Sequence, residues 1–244
     1  MKIICKYISG SRSFGLETPE SDTDESYIFL HDDPKYIIGL ERFEHQNSII
    51  KGVDSKGRDF RHAISMLRNS NSEIIEHLFN KNWTVITPEW QAAVDNKYKL
   101  IDSEKLFKCI MGYSHGEEAA AFAEVTGKLG EKRRKDLEKY KFSPKNVTQC
   151  LRLLWACSTF YLTSQFPVHI GQYNEEKRNW LYEIKTSPTK FTIEYLKEEI
   201  QKHRGELKVN FDNRREDYKF NEDFANNLIC KTYYNALAIH YRYN

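Results

Sequence analysis

The spacing of apolar positions changes along the chain. Residues 3–9 (Ile-Ile-Cys-Lys-Tyr-Ile-Ser) are rich in β-branched side chains and run into Gly10, which predicts a short strand ending in a turn. Residues 11–21 hold three serines, Gly15 and Pro19 and read as loop, and residues 25–31 read as a second strand that Pro34 ends. Shorter runs at 36–40 and 47–50 suggest further strands. From Asp59 the period lengthens: Phe60, Ala63, Ile64 and Leu67 recur at helical spacing, and Ile74, Ile75, Leu78 and Phe79 repeat it after Asn71. Residues 1 to about 100 therefore read as a small mixed α/β unit.

Beyond Asp102 the pattern is helical. Helices are expected over 104–124, from the serine cap and proline start at Ser143-Pro144 to about Ser164, and over 175–185, 189–203 and 221–241. The expected fold class is α+β, with a small mixed-sheet domain over 1–100 and a helical domain over 101–244.

Composition narrows this picture only slightly. Hydrophobic residues make up 40% and charged residues 30% of the 244, as in a globular protein with a sizeable core. The net charge of +2 does not by itself announce a nucleic-acid binder. A basic stretch around 128–141 reads as a solvated helix, with RNA contact as the functional alternative. Five cysteines with no Cys-x-x-Cys pair read as reduced thiols. The first residues are too short for a signal peptide and no apolar run reaches the roughly 20 residues of a membrane helix, so the expected location is cytoplasmic.

The chemistry concentrates in Ile8-Ser9-Gly10-Ser11-Arg12-Ser13-Phe14-Gly15-Leu16 and the Pro19-Glu20-Ser21-Asp22-Thr23-Asp24 that follows. A strand ends in Gly-Ser, and an Asp-x-Asp leads into the next strand. Gly10 lets backbone approach a phosphate, and the Ser11 hydroxyl and nearby N–H groups can bond its oxygens. Residues two apart on a strand share a face, so Asp22 and Asp24 present two carboxylates to one spot. Such oxygen ligands suit Mg²⁺ or Mn²⁺, one ion holding a triphosphate and a second activating an attacking hydroxyl. For a third carboxylate Asp59, just ahead of a helix, is preferred, with Asp54 as its rival; Asp59 also reads as a helix N-cap, which does not exclude ligation. Lys145, Gln149 and Arg152 form a polar stripe on one helix. It is a solvated face or a source of cations for the triphosphate, with Arg12 beside the Gly-Ser turn as a further candidate.

Gly-Ser followed by Ser-Asp-x-Asp resembles the signature of the DNA polymerase beta superfamily of nucleotidyltransferases. The string Gly10-Ser11-Arg12-Ser13-Phe14-Gly15-Leu16, then Pro19 and Ser21-Asp22-Thr23-Asp24, is similar to a branch of predicted nucleotidyltransferases of bacteria and large phages. Gly57 to Ala63, Asn71 to Leu78 and Lys145 to Ala156 resemble later segments of that branch. Glu25, Ser26 and His62 depart from it.

The resemblance implies a nucleotidyltransferase domain over 1–100 and a helical domain over 101–244 that closes the nucleotide cleft. It implies metal ligation by Asp22, Asp24 and Asp59, and nucleotide contacts from Gly10, Ser11, Arg12, Lys145 and Arg152. The expected reaction moves a nucleoside monophosphate from ATP to a hydroxyl, such as the 3′ end of an RNA or tRNA, and releases pyrophosphate. A protein hydroxyl and a small molecule are alternative acceptors. A non-catalytic nucleotide- or RNA-binding module is the alternative of another class, which the clustered carboxylates argue against.

Overall fold

A computed structural model describes residues 1–50, 53–123 and 130–243. By its internal contacts the chain divides into two compact units, Met1–Ser103 with Tyr218–Asn244, and Glu104–Asp217. The sequence places everything from 101 to 244 in one helical domain. In the structure the last stretch belongs instead to the first unit.

The first unit is built on a five-stranded sheet of order β3-β4-β2-β1-β5. β1 (Lys2–Ser9) and β2 (Thr23–Leu30) are antiparallel, close to where the apolar runs place them. α1 (Gly10–Phe14) follows β1 directly. Residues 36–40, read as a strand, are not one: α2 (Pro34–Ile37) is a helical turn, capped by Asp33 accepting from Lys35 N and begun by proline. β3 (His45–Ile50) and β4 (Val53–Asp59) form an antiparallel pair, and β4 lies parallel to β2, which makes the sheet mixed. The sequence of β4, Val-Asp-Ser-Lys-Gly-Arg-Asp, is polar on both faces and gives no alternation to read. β5 (Trp83–Ile86) closes the other edge against β1.

Helices follow the 3.6-residue pattern. α3 (Phe60–Arg68) buries Phe60, Ala63, Ile64 and Leu67, and α4 (Ser72–Phe79) buries Ile74, Ile75, Leu78 and Phe79. α5 (Pro88–Asp95) adds Trp90, fully buried. The sheet's own buried side chains include Ile4, Cys5, Tyr7, Ile28 and Phe29, of which Phe29 packs with His31 and Phe43.

In the second unit, α6 (Ser103–Ala121) and α7 (Glu131–Tyr140) precede α8 (Pro144–Thr163), which packs with α9 (Glu175–Thr186) and α10 (Ile193–Asp212). Arg204 of α10 donates to Ser114 Oγ at 2.9 Å and pairs with Glu118 of α6, so a buried charge is compensated. α7 carries the described part of the basic stretch and pairs Lys135 with Glu131 one turn away at 2.7 Å. Lys128 and the side chain of Lys132 lie outside the described residues. α11 (Glu222–Tyr243) returns to the first unit. Among the described residues the cysteines are all free thiols, and no helix is long and apolar enough to cross a membrane.

Candidate active site

The site grows from the end of β1. Gly10 has φ +68°, a left-handed backbone that costs other residues strain, and a Cβ there would overlap Asp24 Oδ2. Glycine is thus required twice, by the turn and by the carboxylate against it. α1 closes with Gly15 at φ +72°, whose N–H donates to Arg12 O at 3.3 Å, while Leu16 N donates to Ser11 O at 2.9 Å. Ser13 Oγ donates back to Gly10 O at 2.9 Å.

The loop that follows is pinned at two points. Thr18 N donates to Ser21 Oγ at 2.8 Å and Ser21 N to Thr18 O at 2.9 Å. Arg12 Nη2 donates to Ser21 O at 3.1 Å. Arg12 therefore holds the residue just before Asp22. Asp22 is exposed and stands one position ahead of β2, which starts at Thr23. Asp24 is half-buried on β2, with Ser9 of β1 opposite it on one side and Asp54 of β4 opposite on the other.

That register selects between the two candidates for the third carboxylate. Laterally paired residues share a sheet face, so Asp24 and Asp54 point to the same side, called here the front. Asp59 stands five residues further along β4. An odd separation reverses the face, and five strand residues span about 16 Å. Asp59 pairs laterally with Phe29, not with Asp24. It is 6% exposed and fully engaged: Oδ1 accepts from Arg61 N at 3.0 Å and His62 N at 3.3 Å, and Oδ2 accepts from the Tyr233 hydroxyl at 2.7 Å. Burial, then the Asp59 charge, holds the Tyr233 phenol protonated as a donor. The structure does not bring Asp59 to Asp22 and Asp24. Its helix-capping reading is the one realised, and Asp54 takes its place in the candidate set.

Asp54 has a cation beside it. Lys56, two residues on and on the same face, places Nζ 3.7 Å from Asp54 Oδ2. Among the described residues no three His, Cys, Asp or Glu side chains are gathered into a ready metal cage. The donor set at Asp22, Asp24 and Asp54 is all hard oxygen and leaves ligand positions open, which fits a hard cation that keeps waters and takes the rest of its shell from substrate phosphates.

Behind Asp24 on the front face lies a buried polar chain that the sequence reading missed. His77 of α4 is fully buried, with Nδ1 2.9 Å from Glu73 O and Nε2 3.1 Å from Ser26 Oγ. The carbonyl can only accept, which assigns the proton to Nδ1 and makes Ser26 the donor to Nε2. Burial lowers the His77 pKa to about 4, so the ring is neutral. Tyr7 packs edge-on against it at 4.8 Å. The available signal is a histidine within an apolar helical face; Ser26 follows Thr23, Asp24 and Glu25 in the polar half of β2 and gives none. Lys145 and Arg152 belong to the second unit. Lys145 is exposed on α8, whereas Arg152 is buried with Nε donating to Gln149 Oε1 at 3.0 Å, so the stripe is not uniformly solvated.

The sequence model of the RNA repair pathway DNA polymerase beta family matches residues 1–228. No curated protein matches the chain. Among solved structures, the chain is similar to a nucleotidyltransferase-like protein from Exiguobacterium sibiricum 255-15, with a TM-score of 0.31, 10% identity, and coverage of 87% of this chain and 69% of that one. That likeness is too distant to carry an argument about the site.

Proposed function

The chain belongs to the RNA repair pathway DNA polymerase beta family and is a nucleotidyltransferase, and on that premise we propose that it transfers a nucleoside monophosphate from ATP to a hydroxyl of an RNA 3′ end. The observation that carries this reading is the lateral alignment of Asp24 with Asp54 on the front of the sheet, with Gly10 kept free of a side chain against Asp24.

Asp22, Asp24 and Asp54 would hold two Mg²⁺ or Mn²⁺ ions, and the chemistry such ions would supply is charge neutralisation at the triphosphate and a lowered pKa at the acceptor hydroxyl. Gly10 lets the backbone approach the triphosphate, and Ser11 offers its hydroxyl and N–H to phosphate oxygens. Arg12 keeps Ser21 in place and so sets where Asp22 stands. The acceptor hydroxyl gives up its proton to water, its oxygen bonds to the α-phosphorus as the bond to the bridging oxygen breaks, and pyrophosphate leaves with that electron pair. Most of the rate gain comes from positioning and charge neutralisation, since phosphoryl chemistry asks little else of a protein. Lys145 and Arg152 are proposed to add positive charge toward the triphosphate.

The test is transfer of label from α-labelled ATP to RNA with Mg²⁺ or Mn²⁺, comparing the wild type with Asp24→Asn. Asparagine keeps the shape and removes the charge. Labelled RNA with the wild type, and a loss of at least about a thousandfold in the folded variant, is the expected result. Label on protein or a small molecule instead would move the acceptor elsewhere. Equal turnover in wild type and variant would remove the metal-carboxylate mechanism altogether.

A further inference from the structure

Beside Asp54 the front face of the sheet stands open toward β3. The antiparallel register sets Ile49 opposite Asp54 and Asn47 opposite Lys56, and laterally paired residues share a face. Ile49 is 78% exposed, and Asn47 and Lys56 are exposed as well. An exposed isoleucine alone needs no explanation. This one lies directly across from a carboxylate of the candidate metal set, next to the lysine that pairs with it.

The Lys56–Asp54 pair is loose. Its ends are 3.7 Å apart and both side chains are well exposed, so solvent screens it and it holds neither side chain firmly. Lys56 can leave Asp54 for another anion at little cost. On the acceptor side of the reaction, the anion that arrives is the backbone of the acceptor itself.

We propose that Ile49, Asn47 and Lys56 form the seat of the 3′-terminal nucleotide of a single-stranded RNA acceptor. The apolar face of its sugar or base lies on Ile49, its base edge meets the Asn47 amide, and the phosphodiester preceding it meets Lys56 Nζ. The spacing fits. Asp54, where the terminal hydroxyl must come, and Lys56 are about 6.6 Å apart along the strand, of the order of one nucleotide of extended chain. This seat rests on the nucleotidyl-transfer reading and names the part of the protein that selects its acceptor.

The test measures binding of a short 5′-labelled oligoribonucleotide to the full chain, with Mg²⁺ present and no nucleotide, so that no transfer occurs. Lys56→Ala should weaken binding about fivefold and lower the slope of log affinity against log salt by about 0.7, the loss of one phosphate contact on a single strand. Lys56→Arg should keep both. Ile49→Ser should weaken binding about threefold and leave the salt slope unchanged, because its contact is apolar. All three residues are exposed, so the variants fold, and ATP affinity should stay at the wild-type value.

Unchanged oligonucleotide affinity and slope in Lys56→Ala would overturn the seat. So would a parallel loss of ATP affinity, which would assign Lys56 to the triphosphate, and so would a wild type that binds no RNA. Should Asp24→Asn abolish transfer while Lys56→Ala binds RNA normally, only the seat fails. Should Asp24→Asn keep its turnover, the reading beneath it fails.

Discussion

The two ends of β4 carry the same side chain and put it to opposite uses. At one end Asp54 is part-exposed on the front of the sheet, abreast of Asp24 and loosely paired with Lys56. At the other Asp59 is buried on the back, accepts two N–H groups that open α3, and takes the hydroxyl of Tyr233 from α11. Arg61 completes that corner, donating to Tyr36 O and Ile37 O at 2.9 Å each and lying 5.0 Å over the Tyr233 ring. An aspartate that has satisfied its oxygens with fixed donors has little left for a cation, whereas one that faces water with only a loose ammonium partner keeps its oxygens available.

The comparison breaks most visibly in kinetics. Asp54→Asn should cost about a thousandfold in turnover, with the denaturation midpoint unchanged or raised. Asp59→Ala should leave turnover per folded molecule within a few-fold of wild type. Turnover assays on both variants, normalised to folded protein, decide it; the reverse pattern would return Asp59 to the metal set.

Stability should show the mirror image. Asp59→Ala should destabilise by about 3 kcal/mol, from a lost cap and an orphaned buried hydroxyl. Adding Tyr233→Phe should recover part of that loss, a coupling that urea melts of the double-mutant cycle would measure.

The polar chain behind Asp24 supplies a pH test on the front face. The folded pKa of His77 lies near 4, below its ordinary 6.5. Its contribution is fully present above about pH 6.5 and is lost as pH falls toward 4, because the unfolded state binds the proton first. Between pH 7 and pH 5 this should remove about 2 kcal/mol, and His77→Gln should abolish that share of the acid sensitivity in urea melts. The smallest effect expected is at Lys145. Lys145→Ala should weaken ATP binding by about 1 kcal/mol, read by calorimetry with Mg²⁺, while Asp59→Ala leaves it unchanged. Arg152→Ala should weaken it too, but Arg152 is buried, so its melting must be checked alongside.

How legible these features were in the sequence follows from what each residue had to do. The Gly10-Ser11 turn and the Asp22-Thr23-Asp24 entry to β2 were readable because backbone geometry and carboxylate spacing are both local. Phe60 to Phe79 was readable because a helix against a core leaves a 3.6-residue trace. β4 left none: neither of its faces is a continuous apolar surface, so it reads as loop, and without a strand there was no parity to separate Asp54 from Asp59. The cap signature at Asp59 is legible because it is local, and the structure realises it. Pro34–Ile37 misled in the other direction, where an apolar run masked a capped helical turn. The return of the chain to its first unit rests on pairings such as Tyr233 with Asp59, 174 residues apart, which no local pattern encodes.

That return has a consequence for how the protein is made. Ser103 N donates to Tyr218 O at 2.9 Å and Tyr218 N to Ser103 Oγ at 3.0 Å, so the points where the chain leaves and re-enters the first unit are stitched side by side. During synthesis the sheet and its carboxylates emerge first, yet the helix that satisfies Asp59 is translated only after the whole of Glu104–Asp217. The ribosome thus imposes a waiting period in which the second unit can finish while the first is still missing a wall.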